Sequence, residues 1–107
     1  MSQTTQAKSS LALANIISTL RQALPDLVES YHVETLAVFG SYVHNEQKAD
    51  SDLDVLVSFS QTPGLFAFIE LEYYLADLLG IEVDLVMRDS LKEGIAPYIL
   101  AEEVPVQ

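Results

Sequence analysis

The chain has 107 residues, no cysteine, and 16 acidic against 5 basic residues, for a formal net charge of −11. That length suits one domain able to bury its own core, and the missing cysteines exclude a disulfide framework, a thiolate metal site and a Cys nucleophile. Lys8, Arg21, Lys48, Arg88 and Lys92 are scattered, so no basic stripe exists to neutralise a nucleic-acid backbone.

Residues 1–9 are polar and read as a flexible segment, leaving 10–107 as a single domain. The first ten residues lack the charged and apolar regions of a signal peptide. No apolar run approaches the roughly 20 residues of a membrane span, so the expected location is cytoplasmic, with no membrane partner.

Leu13, Ile16, Ile17, Leu20 and Leu24 recur at three- and four-residue steps, which predicts an amphipathic helix starting near Ser10. Ser9 or Ser10 is its expected N-cap. Pro25 interrupts the pattern and suits the first turn of a second, short helix over 25–31. Val33–Phe39 reads as a strand ending at Gly40, and 41–51 as a polar connection. A second strand is expected over 52–59, with Leu53, Val55 and Val57 on one face and Asp52, Asp54, Leu56 and Ser58 on the other.

Thr62-Pro63-Gly64 marks a turn. Leu65–Leu79 returns to helical spacing, with Leu65, Phe68, Leu71, Leu75, Leu78 and Leu79 on or near one stripe and Gly80 as the stop. A third strand over 81–87, a final helix over 91–103 and a short terminal strand over 104–106 complete the chain. The order predicts a small α/β (α+β) fold, a mixed β-sheet with helices packed on it. Phe66, Phe68, Tyr73 and Tyr74 read as core and helix-surface residues rather than base-stacking platforms.

Three aspartates stand out because apolar strands normally exclude ionised groups. Asp52 and Asp54 are two apart in one expected strand, so both carboxylates project from the same face. Asp84 interrupts another, between Val83 and Leu85. Aspartates at strand ends facing solvent are the bland alternative; it suits Asp52 better than Asp54, which Val55, Leu56 and Val57 follow at once. Together the three need a counter-charge, and a divalent cation such as Mg²⁺ takes carboxylate and phosphate oxygens. Asp50, Asp52 and Asp54 also copy the start of an EF-hand loop. That loop needs Gly and Glu where Val55 and Gln61 stand, and the Ca²⁺ reading fails.

Gly40 follows the first strand, where a backbone without Cβ turns sharply and approaches a ligand closely. Ser41 offers a hydroxyl and an N–H toward phosphate oxygens, best at a helix start. Alone this pair is usually just a turn. Ahead of Asp-x-Asp and a third strand aspartate it points to phosphoryl transfer.

The stretch FGSYVHNEQKADSDLDVLV resembles the G-S-x10-D-x-D signature of the DNA polymerase β-type nucleotidyltransferase superfamily. The chain length and the IEVDLV strand are similar to the minimal nucleotidyltransferases, the MntA-type antitoxins paired with HEPN-domain ribonuclease toxins. The resemblance implies the nucleotidyltransferase fold over about 33–106. It implies that Asp52 and Asp54 bind two Mg²⁺ ions, that Asp84 binds the catalytic ion and serves as general base, and that Gly40 and Ser41 hold the β- and γ-phosphates of ATP. It further implies transfer of AMP to a tyrosine hydroxyl of a HEPN toxin, in a hetero-oligomer with that toxin. One departure is local: members commonly carry Arg-Gly a few residues after Gly-Ser, and this chain has His44-Asn45. Histidine supplies the arginine's charge only when protonated. The competing readings are a non-catalytic acidic antitoxin that masks a basic site by binding, and transfer to a small-molecule hydroxyl. The enzymes resembling the second carry an extra helical domain absent here.

Overall fold

The computed structural model of the protein describes residues 12–48 and 50–107. Helix α1 (Leu13–Tyr31) leads into strands β1 (Val33–Phe39) and β2 (Leu53–Phe59), followed by helix α2 (Leu65–Leu79), strand β3 (Val83–Met87), a 3₁₀ turn (Arg88–Ser90), helix α3 (Ala96–Glu102) and strand β4 (Val104–Pro105). The sheet order is β3-β2-β1-β4, with β2 and β3 parallel and both other pairings antiparallel. The parallel pair is joined through α2, because such a pairing needs a crossover long enough to return the chain.

Period-two alternation builds the sheet's covered face. Val33, Leu36, Val38, Leu53, Val55, Val57, Val83 and Leu85 meet Ile16, Leu20 and Leu27 of α1 and Leu71 and Leu75 of α2 in one buried cluster. Fully burying each large aliphatic side chain contributes about 1.5–3 kcal/mol, so this layer holds the helices to the sheet. Leu56, expected beside Asp54 on the other face, is also fully buried.

Several expectations need correction. Helix α1 is one 19-residue helix that runs through Pro25, not two helices. Ala23 and Leu27 are both buried, so the apolar face continues across the proline and packing outweighs the missing hydrogen bond. Because Pro25 itself is exposed, Pro25→Ala should raise unfolding stability by up to about 3 kcal/mol, measured in urea. Ala12 occupies the N-cap position without a side-chain cap; Ser9, Ser10 and the expected flexible segment 1–9 lie outside the described residues.

Strand β2 starts at Leu53 and β3 at Val83. The expected helix over 91–103 is only Ala96–Glu102, with Pro97 in its first turn. Gly94 and Pro97 confine helical structure to the stretch after them. On α2, Leu71 and Leu75 are buried, whereas Leu65 (70% exposed) and Phe66 (85% exposed) face outward at the helix start. Gly80 ends α2 in the left-handed conformation at φ 72°, as its position predicted. No helix among the described residues is long and apolar enough to cross a membrane.

Candidate active site

Strand register assembles what sequence spacing alone could not. Asp54 of β2 pairs laterally with Asp84 of β3, and on its other side with Phe39 of β1. Paired residues on neighbouring strands project to the same side, about 4.8 Å apart, so the two carboxylates stand together. Gly40 follows Phe39 immediately and lies against them. A Cβ on Gly40 would fall 2.1 Å from Oδ2 of Asp54, and the residue sits at φ 85°. Any other residue would push the Asp54 carboxylate aside and strain the backbone at this positive φ.

Asp52 does not lie in β2, as expected, but on its approach, and is exposed. Its charge still reaches Asp54. Burial pushes the Asp54 carboxyl up to about 6, with repulsion from Asp84 and then Asp52 adding to it. The three aspartates therefore share one electrostatic site. Among the described residues, no three His, Asp or Glu side chains are gathered closely enough to hold a metal ion as they stand. Asp52 and Asp84 are exposed and free to change rotamer, whereas Asp54 is half-buried on a strand.

The donor set fits Mg²⁺: hard carboxylate oxygens, mutual repulsion that a bound cation would offset, and a cradle that a Cβ would fill. The sign of the Asp54 shift gives a test. Its folded pKa lies above the ordinary 3.8, so its contribution to stability is fully present below that value and lost as pH rises toward about 6. The full shift corresponds to about 3 kcal/mol. Solvent screening of this half-exposed group leaves about 1 kcal/mol. Metal-free protein in chelator should lose that amount between pH 4 and 6 in urea unfolding, and Asp54→Asn should remove this part of the slope. Adding Mg²⁺ or Mn²⁺ at pH 7 should raise the melting temperature of the parent protein and not of the variant.

Ser41 lies in a hydrogen-bonded turn rather than at a helix start. The amide of Val43 donates to the Gly40 carbonyl at 3.0 Å and that of Glu46 to the Ser41 carbonyl at 2.9 Å. Tyr42 anchors this turn: its ring is buried and its hydroxyl donates to the Ser51 carbonyl at 3.4 Å, next to Asp52. The turn after β1 and the approach to β2 are thereby tied together. Nothing in the sequence singled out Tyr42, since its contact spans the loop.

His44 pairs with Glu102 of α3, Nε2 to Oε1 at 2.9 Å. The hydrogen bond and charge of Glu102 raise the His44 pKa. The charged form of this tether needs protonated His44 and is lost as pH rises through that raised value. Asn45 has φ 57°. That is the left-handed region, a glycine-like backbone that asparagine tolerates better than most residues.

The sequence profile of the nucleotidyltransferase domain family matches residues 17–105. The protein adenylyltransferase MntA of Thermococcus cleftensis is 52% identical over 96 residues, which span 90% of this chain and 97% of that protein. A solved structure assigned as a minimal nucleotidyltransferase superposes with a TM-score of 0.69 at 34% identity, over 83% of this chain and 94% of that one. A chain in the crystal structure of a toxin–antitoxin with AMP-PNP has a TM-score of 0.67 at 25% identity, over 81% of this chain and 72% of that one. With the profile covering nearly all of the described fold and a relative sharing half of its residues, the chain belongs to the nucleotidyltransferase family, in its minimal, MntA-type branch, and is a nucleotidyltransferase enzyme.

Proposed function

We propose that this enzyme is a Mg²⁺-dependent protein adenylyltransferase that moves AMP from ATP to a tyrosine hydroxyl of a HEPN ribonuclease toxin, and acts as its antitoxin. The observation that carries the reading is the lateral pairing of Asp54 with Asp84 beneath Gly40, with Asp52 within electrostatic reach. The protein adenylyltransferase name of the 52% identical relative supports the reaction. The toxin–antitoxin setting of a structural neighbour supports the partner.

In this reading Asp52 and Asp54 hold two Mg²⁺ ions, and Asp84 shares the catalytic one. Bound there, Mg²⁺ supplies positive charge to offset that of the triphosphate and the departing pyrophosphate. Gly40 and Ser41 hold the β- and γ-phosphates: the glycine lets the backbone come close, and the serine offers its hydroxyl and N–H. Asp84 accepts the proton of the tyrosine hydroxyl as its oxygen forms the new bond to the α-phosphorus. The bond from that phosphorus to the bridging oxygen breaks, and pyrophosphate leaves with the electron pair. The toxin brings its own docking surface to the reaction.

Incubation with the HEPN partner, ATP and Mg²⁺ should add one or more AMP units to the partner, read by intact mass and localised to tyrosine by peptide sequencing. An unmodified partner under those conditions counts against the reading. The formal charge of −11 favours a second contribution, neutralisation of a basic toxin surface by binding alone. Toxin inhibition that survives loss of Asp52 and Asp54 would identify that mode.

A further inference from the structure

Strand β3 lies at one end of the sheet order, so among the described residues one of its edges has no neighbouring strand. Such an edge leaves backbone N–H groups without ladder partners. At Leu85 the gap is filled from a different element. The Leu85 amide donates to Oε2 of Glu72, in the middle of α2, at 2.8 Å, in a part-buried contact. The peptide group held in this way is the one joining Asp84 to Leu85. Its other flank is set by the β2 ladder, where Asp84 pairs with Asp54 and Leu85 with Val55. Glu72 is only half-buried, yet its neighbour Leu71 is fully buried, so the helix that carries the carboxylate is packed firmly against the sheet.

We propose that Glu72 is a positioning residue for Asp84: by accepting the Leu85 amide it fixes the backbone from which the Asp84 carboxylate projects. The inference rests on the catalytic role assigned to Asp84 above. Glu72 does not touch the reacting atoms. It acts through one peptide group, and what it needs for this is an acceptor oxygen rather than a negative charge. Glutamine keeps that oxygen in place and alanine removes it. A displacement of about 1 Å at a reacting group costs on the order of 10²-fold in rate. The loss should fall on turnover and not on nucleotide binding, because the nucleotide is held at Gly40, Ser41, Asp52 and Asp54.

The test combines kinetics with amide exchange. Glu72→Ala should lower kcat for AMP transfer about 10- to 100-fold with the KM for ATP changed less than about threefold. Glu72→Gln should restore kcat to within about threefold of the parent. Hydrogen exchange, read by NMR without nucleotide, metal or partner, should show the Leu85 amide protected in the parent and in Glu72→Gln. It should exchange at least tenfold faster in Glu72→Ala, with the amides of β2 unchanged. This exchange comparison also shows whether the alanine variant is folded. If that variant does not fold, a protected Leu85 amide and full turnover in Glu72→Gln still support the inference. A rapidly exchanging Leu85 amide in the parent would overturn it, as would unchanged kcat in a folded Glu72→Ala or a Glu72→Gln as slow as the alanine variant. Asp84→Asn separates the two levels. Full activity there refutes the role of Asp84 and takes this inference with it, whereas an inactive Asp84→Asn beside a fully active Glu72→Ala refutes the inference alone.

Discussion

Asp52→Ala/Asp54→Ala should abolish AMP transfer, by at least about 10³-fold, while the protein stays folded. Removing a single electrostatic contact to a transition state costs about 10²–10³-fold, and this pair removes two of the three carboxylates proposed to hold the cations. The fold should survive because neither side chain packs in the hydrophobic cluster. In metal-free buffer the variant should even be more stable than the parent, since Asp54 is the carboxyl held up near 6 by burial and by its neighbours. Transfer measured with α-labelled ATP, alongside thermal melting in chelator, checks both halves. An active variant would sink the proposed site, and one destabilised in chelator would contradict the electrostatic account.

Gly40→Ala is the second large effect, and it reaches the same carboxylate from the opposite direction. The new methyl would lie 2.1 Å from Oδ2 of Asp54 on a backbone at φ 85°. A left-handed conformation costs a non-glycine residue about 1–2 kcal/mol, and the clash with a strand-borne side chain brings the total to about 3 kcal/mol. Transfer should fall by more than about 10²-fold as Asp54 is displaced. Gly40→Ala/Asp54→Ala provides the control. Shortening Asp54 should return the steric part of the stability, leaving the backbone cost, with activity still absent. Urea unfolding of the two single variants and the double variant measures that coupling. Strict additivity would show that the carboxylate does not lie against Gly40.

Local pattern made the elements legible where packing follows period. The alternation of Leu53, Val55 and Val57 marked β2, and Gly80 marked the end of α2. Pro25 misled because the cost of a proline is local, whereas the buried positions of Ala23 and Leu27 on either side express a tertiary face. Gly94 and Pro97 misled in the opposite sense, since apolar residues at helical spacing continue through a stretch whose backbone does not. The three aspartates and Gly40 could be named from spacing alone. What spacing could not supply was register: Asp54 and Asp84 are thirty positions apart, and nothing in either strand states which residue faces which. Tyr42, Glu72 and Glu102 escaped for the same reason. Each acts through a contact to a distant segment, and each looks in sequence like an ordinary loop or helix-surface residue.

The two ends of the sheet carry a consequence for assembly. At one end β4 is only two residues long and includes Pro105, which has no N–H to offer. At the other, the Leu85 amide is already taken by Glu72. Among the described residues each border is thus partly blocked to a further strand, which disfavours extension of this sheet by a second copy or another chain. A partner is then expected to recognise side chains on helices and loops instead. Such a contact leaves the strand register undisturbed, and with it the alignment of Asp54 and Asp84 while the acceptor binds and departs.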